Sequence, residues 1–170
     1  DTGAVICQDR LSIHPDDNYS ELSERMGNLG SDLLLKTINL IESGSISTIK
    51  QNHNEVTLAP KISKDMTIID WNKPARELHN LVRGLTLTPG AATIIKGKRI
   101  KIQETRVDND RDGSNYLPGE IIAIKKSIVT VQTGKGFLLI HRVQLEGKKT
   151  MDIGSFMNGF TLNIGDRFGN

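Results

Sequence analysis

The sequence predicts an α+β protein, with a strand and two helices at its start and a small antiparallel β-barrel in its second half. Between residues 22 and 41 the apolar residues recur every three to four positions, which is typical of helices. From residue 93 onward they alternate in short runs between Gly- and Lys-containing turns, which is typical of hairpins. A helix with clear start and stop signals lies between these two regions.

Length and composition allow one large domain or two small ones. Aromatic residues make up 4% of the 170 residues, and no apolar run approaches the ~18 residues of a membrane-spanning helix. Cys7 is the single cysteine, which excludes an internal disulfide and a cysteine metal cluster. We therefore expect no membrane partner and a cytosolic setting.

The net charge of +2 conceals an asymmetry. Residues 1–63 carry five Lys/Arg and nine Asp/Glu, and residues 64–170 carry seventeen and eleven, so their net charges are −4 and +6. A basic second half favours a polyanionic partner, with nucleic acid first. The alternative is a solvated surface with an ordinary scatter of charge.

The first region predicts a strand and two helices. Residues 4–13 alternate in part, as in a strand or hairpin arm. Asp17 is the expected N-cap of the first helix, which Gly27 and Gly30 end, and Gly44 ends the second. One strand with helices is too little for an independent core. Because the chain also begins without Met, we expect it to be the end of an α/β domain in a longer protein.

The domain boundaries follow from a change in composition. Residues 45–64 are rich in Ser, Asn and Gln and lack periodicity, which predicts a linker. We therefore assign 1–44 to the first domain and 65–170 to the second. Lys61 and Lys64 lie at the end of the linker.

The helix after the linker has signals at both ends. Asn72 is the expected N-cap, Pro74 suits the first turn, and Gly84 ends the helix. Its apolar stripe consists of Ala75, Leu78, Val82 and Leu85. We expect Trp71 to be a packing anchor between linker and helix, in preference to a base-stacking residue.

Five or six short strands with hairpin turns predict the barrel. The strands are expected at residues 93–95, 99–106, 120–124, 127–132 and 136–144, with a short helix at 150–158 and a last strand at 162–164. An oligonucleotide-binding (OB) barrel is the member of this class most often paired with basic loops.

One acidic loop resembles a metal site. Asp108, Asp110, Asp112 and Gly113 follow the start of an EF-hand calcium loop, but the twelfth position holds Gly119 where a bidentate Glu is needed. We interpret it as a solvated loop between strands. The four histidines show no metal-ligand spacing, so no metal is predicted.

Basic residues of the second half gather at predicted turns. They are Lys96, Lys98, Arg99 and Lys101, then Lys125 and Lys126, then Lys148 and Lys149. Lys and Arg on loops neutralise phosphates and gain affinity by counterion release. Few exposed aromatic residues accompany them, so backbone or shape recognition of a structured RNA fits better than base stacking.

Motifs along the whole chain resemble methionyl-tRNA formyltransferase. The most specific is VQLEGKKTM at 143–151, similar to the family's Gln-x-Glu-Gly-Lys-Lys-x-Met run. Other matches in family order are Asp1–Gly3, Pro15–Asp17, Ile69–Trp71, Pro74–Ala75, Pro89–Ala91, Pro118–Ile121 and Gly165–Arg167. Two positions depart from the family, where Ala4 replaces an Asp and Thr88 replaces a Trp.

The resemblance implies an enzyme that transfers a formyl group from 10-formyltetrahydrofolate to the amino group of methionyl initiator tRNA. It implies that residues 1–44 end a Rossmann-like formyltransferase domain and that 65–170 form an OB-like tRNA-binding domain. Asp1 matches the family's catalytic Asp, which would hold the catalytic His and a water and help relay a proton. The other catalytic residues and most of the folate pocket would lie upstream, so we expect this chain alone to be inactive.

The predicted tRNA contacts combine the linker lysines that the resemblance implies with the basic turns. They are Lys61, Lys64, Lys96, Lys98, Arg99, Lys101, Lys148 and Lys149. We expect a monomer in the bacterial cytoplasm or an organellar matrix. Two alternatives stay open: a related formyltransferase or hydrolase acting on an amino-sugar nucleotide or on formyl-folate, and a non-enzymatic RNA-binding module in which Asp1 is coincidental.

Overall fold

The computed structural model describes residues 2–108 and 115–169. The chain divides into two compact units, Asp1–Lys61 and Ile62–Asn170. This division falls inside the predicted linker, and the assignment of three segments as domains stays a prediction. The part of the acidic loop at 110–113 lies outside the described residues.

Unit 1 is built on one long helix, α1, at Tyr19–Glu42. The prediction of two helices is wrong, because Gly27 and Gly30 lie inside α1. A glycine within a helix costs only ~1 kcal/mol relative to Ala, which a long helix tolerates. The N-cap is Asn18, whose side chain accepts hydrogen bonds from the backbone of Ser20 and Glu21.

The apolar side of α1 stays largely open within unit 1, since α1 has no fully buried residue. Its exposed large side chains are Met26, Leu34, Leu35, Ile38 and Ile41. The strand predicted at residues 4–13 reduces to an isolated antiparallel bridge between Val5 and Ile49, with a short 3₁₀ turn at His53–Glu55 further on. Among the described residues, no helix is long and apolar enough to cross a membrane.

Unit 2 combines an antiparallel sheet with two helices, α2 at Ala75–Gly84 and α3 at Ile153–Met157. The described strands are β1 Ala91–Ile95, β2 Lys98–Asp108, β3 Ile121–Lys125, β4 Ile128–Gln132, β5 Phe137–Leu145 and β6 Met151–Asp152. Their order is β1-β2-β5-β4-β3, and β6 pairs with β5. The predicted α+β class is confirmed.

The strands do not close into a barrel, since no pairing joins edge strands β1 and β3 in the described part of the sheet. Residues 165–169, called the C-terminal segment, span this gap instead. Phe168 donates its N–H to Gly119 beside β3 at 2.8 Å, and Gly169 donates to Ile94 of β1 at 2.8 Å. The strand predicted at 162–164 is wrong, because the backbone pairing occurs further along the chain.

Helix α2 packs its buried face on β2. Pro74 is its N-cap residue, so the prediction of Asn72 is wrong; Asn72 donates to the side chain of Asp70 instead. The fully or nearly buried residues of the helix are Ala75, Leu78, His79 and Val82. His79 Nδ1 lies 3.0 Å from Thr105 Oγ1 of β2, which satisfies a polar group inside the interface.

Trp71 contacts three separate parts of unit 2. Its side chain is 4% exposed, its Nε1 donates to Thr93 Oγ1 of β1 at 3.0 Å, and its ring stacks on Phe168 with centroids 5.3 Å apart. Its carbonyl accepts a 2.9 Å hydrogen bond from Gly134, in the turn between β4 and β5. Trp71 is therefore a buried packing residue, as predicted, but its bonds and ring contact are to β1, the C-terminal segment and the turn after β4, where the sequence predicts a position between linker and helix.

We expect Trp71→Ala to lower the free energy of unfolding by about 3–5 kcal/mol, because it removes a large buried ring and leaves Thr93 without its partner. Urea unfolding followed by circular dichroism measures this. Tyr116→Ala is the control, since that side chain is 44% exposed and its loss should cost less than about 1 kcal/mol. Equal effects of the two substitutions would contradict the anchoring role.

Candidate nucleic-acid interface

Two basic residues of β2, Arg99 and Lys101, lie on the face of the strand that is turned away from the core. Ile100 and Ile102 are fully buried, and side chains alternate along a strand, so Arg99 and Lys101 lie on the opposite face. The register with β5 places Lys101 opposite Gln144. Burial of two apolar side chains therefore fixes where the two charges lie.

Arg99 and Lys101 line a pocket of about 340 Å³ within unit 2. Its other walls include Lys64, Thr67, Pro89 and Glu146. A smaller pocket of about 100 Å³ shares Arg99, Lys101 and Glu146 with it. We call this paired concavity the basic pocket, since three positive charges face it against one carboxylate.

The segment that carries Lys64 is built into unit 2. Thr67 donates to the Lys64 carbonyl through its N–H at 3.0 Å and its hydroxyl at 2.7 Å, which forms the 3₁₀ turn Asp65–Thr67. Ile69 then donates to Ala92 of β1 at 2.9 Å. Lys64 is thus part of a folded wall, although composition places it in the linker.

A glutamine pair supports the pocket walls. Gln103 accepts from the N–H of Leu87 at 3.1 Å and donates to Gln144 at 3.0 Å, and Gln144 donates to the carbonyl of Lys148 at 2.8 Å. These bonds connect the turn before β1 with the turn after β5. The sequence does not predict this supporting role for Gln103 and Gln144. Polar residues on the outer face of a strand are usually solvent-exposed, so these two do not stand out.

Lys96 has partners of its own. Its Nζ lies 2.7 Å from Asp166 Oδ2 and donates to the carbonyl of Thr161 at 2.9 Å. Partial burial raises the pKa of Asp166, but the hydrogen bonds from Lys96 and from the Asn163 N–H, with the Lys96 charge, outweigh it. The net result is a pKa below the usual value for Asp. This pair connects the C-terminal segment to the turn after β1.

The remaining predicted residues do not line the basic pocket. Lys98 is exposed at the start of β2, and Lys148 and Lys149 are exposed in the turn after β5. Lys61 belongs to unit 1, and the predicted catalytic Asp1 lies outside the described residues. In the described part of the chain, no group of three or more His, Cys, Asp or Glu could hold a metal ion.

Residues 61–161 match the model of the formyl transferase C-terminal domain. The chain belongs to this formyltransferase family. It is 44% identical to methionyl-tRNA formyltransferase of Lactococcus lactis over 99% of the chain and 53% of that protein, and 39% identical to that of Dictyoglomus turgidum over 100% and 54%. It thus corresponds to the C-terminal portion of methionyl-tRNA formyltransferases, and spans about half the length of these curated relatives.

Two solved structures of other proteins share the fold. HypX from Aquifex aeolicus matches with a TM-score of 0.69 and 19% identity, over 94% of this chain and 30% of that one. The sugar 3N-formyltransferase WlaRD matches with a TM-score of 0.55 and 21% identity, over 87% of this chain and 51% of that one. At these identities the likeness concerns the fold alone.

We expect Asp166→Asn to lower the melting temperature at pH 7, since it removes the ion pair with Lys96. A carboxyl whose folded pKa is depressed stabilises the fold above its unfolded pKa of ~3.9, and this contribution is lost as the pH falls through the folded pKa. The difference from the wild type should therefore shrink below about pH 4.

Thermal unfolding between pH 3 and 7 tests this, with Asp16→Asn as the control. Asp16 is exposed and has no ion pair within the described part of unit 1. If the melting temperature of Asp166→Asn stays below that of the wild type by the same amount across this pH range, the charge of Asp166 is not the cause of the difference.

Proposed function

We propose that this chain is the tRNA-binding part of an enzyme that formylates the methionyl group of initiator tRNA, with 10-formyltetrahydrofolate as the donor. The observation that carries the proposal is the basic pocket. Among the described residues, no carboxylate forms an ion pair with Lys64, Arg99 or Lys101. The identity to methionyl-tRNA formyltransferases along the whole chain supports the same assignment.

The surface suits the backbone of a folded RNA better than its bases. Trp71, Phe137, Phe156 and Phe168 are buried, so these rings are not offered for stacking. Lys and Arg side chains around a concave surface supply the salt-dependent phosphate contacts that position an RNA without reading its sequence. Discrimination of the initiator tRNA would then depend on its shape or on the part of the enzyme that carries the chemistry.

The chemistry belongs mainly to the remainder of the enzyme. Asp1 would supply the catalytic carboxylate. A groove in unit 1 of about 300 Å³ is lined mostly by apolar residues such as Leu11, Ile13 and Met26, with Asp9 as its charged member. A pterin ring needs several hydrogen-bonding partners, so this groove alone does not suit folate.

We assign unit 2 to the OB-like class and unit 1 to the end of a Rossmann-like domain. The path of five strands, with its edges bridged by the C-terminal segment, supports the first assignment. The exposed apolar side of α1 supports the second, because such a side is normally covered by other parts of a domain. The protein would act as a monomer, in the bacterial cytoplasm or an organellar matrix.

The alternative substrates have weaker support. The sugar 3N-formyltransferase WlaRD is only 21% identical, whereas the methionyl-tRNA formyltransferases reach 39–44%. A non-enzymatic RNA-binding module would also explain the basic pocket. It would not explain why the whole chain is similar to about half of an enzyme.

We expect Lys98→Glu combined with Arg99→Glu to weaken tRNA binding by this chain and to flatten its salt dependence. Each lost phosphate contact should lower the slope of log K against log salt by about 1. Anisotropy of labelled initiator tRNA in a KCl series measures the slope. The control is Lys125→Glu with Lys126→Glu, which reverses two exposed charges at another turn; a larger effect of this control pair would move the interface to that turn.

The chain alone should not formylate methionyl-tRNA, because it lacks half of the length of its relatives. Acid-gel analysis of charged initiator tRNA, incubated with the chain and 10-formyltetrahydrofolate, tests this. A full-length methionyl-tRNA formyltransferase serves as the positive control. Formylation by the chain above the background without protein would contradict the assignment of the chemistry to the missing half.

A further inference from the structure

We propose that the basic pocket is a binding site for a single phosphate group, held jointly by Lys64, Arg99 and Lys101. In the enzyme the phosphate would come from the tRNA backbone, and this part of the inference rests on the proposed function. A free phosphate ion offers the same chemistry, so the experiment separates the two sources.

The charges of the pocket favour the binding of an anion. Three cations face one concavity, and none is in an ion pair in the described part of unit 2. Lys96, a few residues away, shows the opposite case, since Asp166 neutralises it. An Arg fork beside two Lys point charges is a combination that binds phosphate well.

The pocket is built in advance of any ligand. Arg99 and Lys101 project from a paired strand, and the stem of Lys101 passes over Gly90, where an added Cβ would lie 2.9 Å from Lys101 Cδ. The hydrogen bonds of Thr67 fix the wall that bears Lys64. The Gln103–Gln144 pair fixes the turns on either side. Such preorganisation limits the entropy lost when a phosphate binds.

Glu146 distinguishes this site from a general basic surface. Its carboxylate lines both parts of the pocket, in the turn after β5. A negative charge there opposes a bound phosphate. Removing that charge should therefore raise the affinity for phosphate, an effect that a variant with a damaged fold would not produce.

The first arm of the test measures initiator tRNA binding to the full 170-residue chain by anisotropy between 50 and 200 mM KCl. Lys64→Gln and Lys101→Gln should each lower the salt slope by about 1, since each removes one phosphate-neutralising charge. The loss of affinity should therefore be about 3-fold larger at 50 mM than at 200 mM KCl, the change that one counterion-releasing contact makes over this range. Glu146→Gln should tighten binding, and the control Lys125→Gln should leave the slope unchanged.

The second arm titrates sodium phosphate into the ¹⁵N-labelled chain. Amide shifts should be confined to residues near Lys64, Arg99 and Lys101, should vanish in Lys64→Gln and Lys101→Gln, and should saturate at a lower phosphate concentration in Glu146→Gln. Circular-dichroism spectra and thermal unfolding midpoints that match the wild type establish that the variants are folded.

The outcomes separate the two proposals. If tRNA binds with a steep salt dependence that the pocket variants leave unchanged, and phosphate shifts no pocket amides, the phosphate site is overturned and the tRNA assignment stands. If tRNA does not bind but phosphate shifts the pocket amides, the site takes a free phosphate and the proposed function fails. Binding of neither overturns both, and looser binding by Glu146→Gln overturns the site.

Discussion

The stacking of Trp71 on Phe168, together with the hydrogen bond from Trp71 to Thr93, is the interaction on which the form of unit 2 depends. The strands leave an open path from β1 to β3, and the C-terminal segment that spans the gap has little regular pairing of its own. Trp71 holds this segment from the inside, while its carbonyl accepts from Gly134 at the far side of the sheet. Trp71 thus connects residues from the start, the middle and the end of unit 2.

The core also decides where the charges go. Because Ile100 and Ile102 are buried, strand alternation directs Arg99 and Lys101 to the outer face, and pairing with β5 brings the turn containing Glu146 beside them. The segment before Trp71 adds Lys64, because Ile69 is bonded to β1. The anchoring of Trp71 and the composition of the pocket are therefore linked, since the same stretch of chain supplies the buried ring and one wall of the pocket.

Local patterns in the sequence predict the elements of unit 2 well, and their ends less well. Alternation with a period of two is clear in β2, where Ile100 and Ile102 are buried and Arg99 and Lys101 lie on the outer face. β1 and β4 are buried at nearly every position, so their apolar runs and the turns beside them locate these strands. The cap of α2 is missed because Asp70 engages Asn72, and the break in α1 is wrongly predicted because single glycines weaken a helix without ending it. The bridging role of the C-terminal segment follows from contacts with residues far away in sequence, such as Gly119 and Ile94, which no local pattern records.

For the candidate site, too, local sequence patterns predict some features, and contacts between distant residues determine the others. Sequence analysis predicts that positive charge gathers after β1, yet it cannot separate Lys96 from Arg99, three residues apart. Asp166, seventy residues from Lys96, neutralises it, whereas strand pairing and a folded linker segment leave Arg99 facing Lys101 and Lys64. Lys64, Arg99 and Lys101 line one pocket without an ion pair among the described residues, and a group of like charges of this kind attracts anions. The residue types predict affinity for polyanions, and the tertiary contacts decide which of the cations remain available to bind one.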